Sequence, residues 1–83
     1  MLMDNDHLKR IQRIFHTIFN VAPDTITPDT TKDDVEGWDS LGHLRLMMAV
    51  EKEFRVKFTT EQVIGIESVR DIIAKETKSR QLH

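Results

Sequence analysis

Apolar residues Leu8, Ile11, Ile14, Phe15, Ile18 and Phe19 recur at three- and four-residue intervals, with Lys9, Arg10, Arg13 and Thr17 on the other side. At about 100° per residue they form one arc, which predicts an amphipathic helix over about 5–20. No period continues from Val21 to Asp39, where Pro23, Pro28, Gly37 and scattered Thr and Asp predict a loop over 21–39. So long a connection in a small domain needs pins of its own, and Ile26, Val35 and Trp38 are the candidates. Periodicity resumes at Ser40 and predicts a second helix over about 40–55, with Asp39 as its N-cap. Thr59 and Gln62 have capping-box spacing and Gly65 suits a left-handed stop, so a short third helix is expected over about 60–64. Ser68 and Asp71 repeat the capping signal, and Val69, Ile72 and Ile73 supply the buried side of a last helix over about 69–77. The polar tail beyond Glu76 is expected to fray. Val56 to Thr59 comes nearest to a strand and is too brief. The pattern therefore predicts an all-α protein: a four-helix bundle with a short third helix and a long loop between helices 1 and 2, with residues 1–83 as one domain.

The second helix has two apolar faces. With Ser40 at the origin, Leu46, Met47, Val50 and Phe54 fall between about 240° and 340°, which is the expected core face. Ile64 and Ile72 are expected to join that core. Leu41, Leu44 and Met48 fall between about 40° and 100°, beside Ser40 and bordered by Arg45, Glu51 and Lys52. For Leu41, packing under the loop against Trp38 or Val35 is an equal alternative. For Leu44 and Met48 an exposed docking surface is expected, because an apolar patch ringed by charge suits transient contact and methionine adapts to varied partners.

Composition narrows the chemistry. The net charge is −2, from 12 basic and 14 acidic residues, and no basic run stands out, so protein partners are expected rather than nucleic acid. There is no cysteine, which removes disulfides, thiolate nucleophiles and cysteine zinc sites, so any thiol chemistry needs a borrowed thiol. No apolar run approaches the roughly 20 residues of a membrane span, and Met1 to Asp6 lacks the form of a signal peptide. A monomeric cytoplasmic protein with no membrane insertion is the expectation.

Ser40 sits at a predicted helix mouth in an acidic, turn-forming surround of Asp33, Asp34, Glu36 and Asp39. Nothing near it in sequence suits activating its hydroxyl, which favours a serine that is modified over one that attacks. The run Gly37-Trp38-Asp39-Ser40-Leu41-Gly42-His43-Leu44, continued by Met47, Met48, Ala49, Val50, Glu51, Glu53 and Phe54, resembles the acyl carrier proteins. The resemblance covers nearly the whole chain, and similar Trp-Asp-Ser-Leu sequences occur in peptidyl carriers and in discrete carriers of specialised pathways. It implies that Ser40 receives 4′-phosphopantetheine from coenzyme A through a phosphopantetheinyl transferase. The arm's thiol then carries an acyl or aminoacyl group between loading and processing enzymes, and the carrier itself catalyses nothing. It also implies that the bundle interior can shelter an acyl chain, that Asp39 can complete the transferase's metal coordination, and that Leu41, Leu44, Arg45, Met48 and Glu51 face partners. Gly42 and Arg45 stand where carriers of bulk fatty-acid synthesis are usually acidic, with Lys52 further along, so a dedicated pathway is expected. Gly42 is also expected to loosen the turn holding Ser40.

Other signals have plainer readings. His43, one turn after Ser40, raises a serine–histidine pair, but its position near the core face suits a structural histidine, and so short a chain can hardly build a substrate cleft. His7, His16 and His83 are scattered and expected to face solvent. Asp24, Asp29, Asp33 and Asp34 lack the order of a calcium loop. Trp38 is expected to anchor the loop rather than stack a ligand. The competing classes are a stand-alone aminoacyl or peptidyl carrier, a helical binding module that is never modified, a helix-turn-helix DNA binder lacking its basic recognition helix, and a small hydrolase.

Overall fold

The computed structural model describes residues 3–81, and among them the regular structure is helical: α1 (Met3–Phe19), α2 (Ser40–Phe54), α3 (Thr60–Gly65) and α4 (Val69–Gln81). The only strand-like feature among these residues is an isolated bridge between Thr31 and Ser68. The four-helix architecture is that of an acyl-carrier-like bundle. None of the described helices is long and apolar enough to cross a membrane.

Ile11, Ile14 and Phe15 of α1 pack against Leu46, Met47, Val50 and Phe54 of α2 and Val69 and Ile72 of α4 in one apolar core. The 3.6-residue period of each stripe makes this possible, because it keeps one face turned inward over several turns. α1 ends at Asn20, which takes the left-handed conformation (φ 59°) and donates its N–H to His16 O at 2.9 Å. α2 ends the same way at Arg55 (φ 58°), an unusual residue for that region. Glu51 supports this end: its backbone carbonyl accepts the N–H of Val56 at 3.1 Å, and its Oε2 accepts the N–H of Phe58 at 2.8 Å. Arg10 of α1 lies over the Phe54 ring, 4.5 Å from its centroid, and donates to Glu53 Oε2 at 2.8 Å. That hydrogen bond raises the Arg10 pKa further above the ordinary arginine value against the opposing effect of burial, so the contact keeps its charge.

The 21–39 segment is more structured than its composition suggests. It contains two 3₁₀ turns, Pro23–Thr25 and Lys32–Asp34, and drives Ile26, Val35 and Trp38 into the core. Its carbonyls also serve α4, whose first N–H groups have no partner within their own helix. Val69 N–H donates to Thr30 O and Arg70 N–H to Pro28 O, each at 2.9 Å. Gln12 of α1 holds the loop from the other side, donating to Ile26 O at 2.8 Å.

Four sequence expectations are corrected. Ile64 is not core: α3 is so short that only one side touches the bundle, with Val63 half-buried, and Ile64 points outward. Gly65 is not a left-handed stop. It is the last residue of α3, and Ile66 ends the helix by turning extended (φ −82°, ψ 120°), which carries its own side chain fully into the core. The chain beyond Glu76 stays helical to Gln81, through residues free of Gly and Pro. His7 does not face solvent: it is half-buried, 5.5 Å from the Phe54 ring centroid, and paired with the buried Glu76 of α4. His16 is exposed, with Nδ1 3.1 Å from Val21 O, and His83 lies outside the described residues.

Candidate functional site

The loop's last residues determine where Ser40 sits. Gly37 turns the chain with φ 96°, a conformation that side-chain-bearing residues rarely adopt. Trp38 then enters the core, its ring edge-on to Phe15 at 5.1 Å between centroids and stacked near Phe19 at 6.4 Å. Asp39, in extended conformation, caps α2: its Oδ1 accepts the N–H of Gly42 at 2.9 Å while its carbonyl accepts that of His43 at 2.7 Å. Ser40 follows as the first residue of α2 and is exposed. Its hydroxyl thus lies at a capped corner at the positive end of a helix, with exposed Asp33, Asp34, Glu36 and Asp39 nearby in the chain.

Gly42 has a role that propensity alone does not suggest. It is buried, and a Cβ built on it would lie 2.0 Å from Gly37 O and 2.9 Å from Phe19 Cε1. The loop backbone therefore runs directly against this turn of α2. Gly42 marks a close approach that locks the Ser40 turn in place, and it does not belong to the exposed charge pattern of α2.

His43 is 6% exposed and uses both ring nitrogens. Nδ1 accepts the Trp38 indole N–H at 2.8 Å, and Nε2 lies 2.7 Å from the Val63 carbonyl. Indole can only donate and a carbonyl can only accept, so the ring is the neutral tautomer with its hydrogen on Nε2. With Nδ1 occupied by Trp38 and Nε2 by α3, His43 has no lone pair to offer Ser40. That removes the serine–histidine pair on which the hydrolase alternative depends.

The second apolar stripe of α2 is open to solvent: Leu41 is 66% exposed, Leu44 54% and Met48 68%. Ile64 of α3 is also exposed, at 68%. At 66% exposure Leu41 is not packed under the loop, while Trp38 and Val35 turn into the core. Arg45 and Lys52 are exposed beside the stripe, whereas Glu51 is half-buried and shares its carboxylate with the backbone after α2. Ile64 is an exposed apolar residue that sequence reasoning placed in the core, and the adjacent Val63 is bonded through its carbonyl to His43, one turn from Ser40.

The site therefore offers an anchored hydroxyl at a helix mouth beside exposed apolar residues, and helix N-termini tolerate anions. Residues 9–75 match the family described as "Phosphopantetheine attachment site". The acyl carrier protein of Onion yellows phytoplasma is 32% identical over 71 residues, covering 86% of this chain and 93% of that protein. The acyl carrier protein of Zymomonas mobilis is 33% identical over 70 residues, covering 84% of this chain and 90% of that protein. An all-helical bundle of this length, matched to the phosphopantetheine family over most of its residues and to whole carriers from two bacteria, belongs to the acyl carrier proteins.

Proposed function

We propose that Ser40 is the residue that receives 4′-phosphopantetheine, and that the chain carries acyl intermediates as thioesters for a specialised fatty-acid, polyketide or related pathway. The observation that carries this reading is the placement of Ser40: exposed, first in α2, and held by a buried tryptophan and a capping aspartate on its N-terminal side. In attachment, the Ser40 hydroxyl oxygen bonds to the phosphorus of coenzyme A that bears the pantetheine. The pyrophosphate bridge breaks, the adenosine bisphosphate leaves with the electron pair, and the serine proton passes to a base on the transferase. Asp39 keeps one carboxylate oxygen on Gly42 N–H, and its other oxygen is proposed to meet the transferase's metal. The bound arm supplies the thiol that this cysteine-free chain lacks.

Leu41, Leu44 and Met48 form the proposed docking surface for the transferase and for acyl- or aminoacyl-loading enzymes, and Arg45 and Glu51 flank it. The exposed cations Arg45 and Lys52 support a dedicated pathway, because partners built around Arg and Lys would meet like charge there. Gly42, being buried, plays no part in that argument.

The test is the intact mass of the purified chain before and after incubation with coenzyme A, magnesium and a broad-specificity phosphopantetheinyl transferase, beside Ser40→Ala. The wild type should gain one phosphopantetheine and the variant none, with the variant's melting temperature unchanged. No gain by the wild type, with the transferase active on a control carrier, would favour an unmodified binding module. Gain by Ser40→Ala would move the attachment point elsewhere.

A further inference from the structure

We infer that the cargo carried from Ser40 stays outside the bundle, so this carrier is built for short or polar acyl groups and does not shelter long alkyl chains. The inference rests on Ser40 being the attachment point. Ser40 opens α2, and one turn along and about 60° around that helix stands His43, on the side that is bonded to Val63 of α3.

His43 forms a polar bridge between three parts of the fold. The Trp38 indole binds Nδ1 at 2.8 Å, and Nε2 binds Val63 O of α3 at 2.7 Å. The imidazole and indole rings lie nearly parallel, 6.2 Å apart at 19°. An alkyl chain entering between α2 and α3 would have to separate His43 from Val63. It would leave an imidazole N–H and a backbone carbonyl facing hydrocarbon, and apolar contact does not replace a buried hydrogen bond. Swinging one side chain aside makes no room either. Phe15 and Phe19 pack on Trp38, and Gly42 lies against the Gly37 carbonyl on the loop side. Leu46 and Met47 fill the next turn of α2.

A sheltered chain would act as a ligand of the folded state alone and raise its melting temperature, the more so the longer the chain. The transferase can load acyl-phosphopantetheine from acetyl-, butyryl-, octanoyl- and dodecanoyl-coenzyme A onto the whole protein, with intact mass verifying each product. Thermal unfolding and the rate of thioester cleavage by hydroxylamine are then read across the series. The expected result is a melting temperature constant to about 1 °C and cleavage rates within about twofold. A melting temperature that climbs from acetyl to dodecanoyl, with cleavage slowing several-fold, would overturn the inference. In His43→Ala, compared only with itself across the same series, chain-length dependence should appear; a flat series there would show that the bridge is not what closes the interior. If no acyl group is gained at all, the attachment reading fails first and this inference with it, a result that mass alone distinguishes from loading followed by sheltering.

Discussion

Replacing Gly42 with alanine sets two effects of opposite sign against each other at one atom. Helix propensity favours alanine over glycine by about 1 kcal/mol within a helix. The added Cβ, however, would stand 2.0 Å from Gly37 O, 2.9 Å from Phe19 Cε1 and 3.1 Å from Gly37 C. Real Cβ atoms essentially never approach another heavy atom nearer than 3.0 Å, so the loop would have to retreat by about 1 Å. Phe19 can shift, but Gly37 O is backbone. It sits at a left-handed residue between Val35, whose carbonyl accepts the Trp38 N–H at 3.1 Å, and the buried Trp38 itself. Overpacking of this kind costs about 1–3 kcal/mol, with the upper part of the range appropriate where backbone must move. Net of propensity, Gly42→Ala should lose about 1–2 kcal/mol and melt roughly 5–15 °C lower. Urea and thermal unfolding followed by the fluorescence of Trp38, the single tryptophan, provide the assay. Gly65→Ala is the matched control: a Cβ there meets nothing within 4 Å, so the variant should gain roughly 0.4–1 kcal/mol. A Gly42→Ala protein as stable as the wild type or more so would refute the close-approach argument and restore the view of Gly42 as a loosened turn.

His43→Ala should lose about 2–4 kcal/mol in urea unfolding, because it leaves the Trp38 N–H and the Val63 carbonyl unpaired around a cavity; a change under about 1 kcal/mol would show the bridge to be incidental. Leu44→Ala and Met48→Ala should each change stability by less than about 0.5 kcal/mol, yet slow loading by the transferase roughly fivefold. A large fall in melting temperature for both would instead make the stripe part of the core.

Some of this protein was legible without coordinates because the relevant physics is local. The inward faces of α1 and α2 follow from residues three and four apart, and the Asp39 and Thr59 caps from bonds spanning three residues. The exposure of Leu44 and Met48 follows from the same wheel, since one helix in a small bundle seldom buries two faces. The sequence neighbourhood of Ser40 likewise carried the family resemblance that the comparisons bear out.

What only the tertiary structure decided lies in contacts between segments far apart in the chain. Glu76 is buried because His7, 69 residues away, meets it across the α1–α4 packing, and no local pattern marks that pair. The first N–H groups of α4 are satisfied by Thr30 and Pro28 of the loop. Ile64 turns outward because α3 offers the bundle one narrow side and Ile66 fills the core in its place. Gly42 reads as a weak helix former until Gly37 is found against it. Periodicity and capping record what a residue does to its own helix, whereas close approach and buried pairing depend on which other segment arrives, and that is decided only when the whole chain packs.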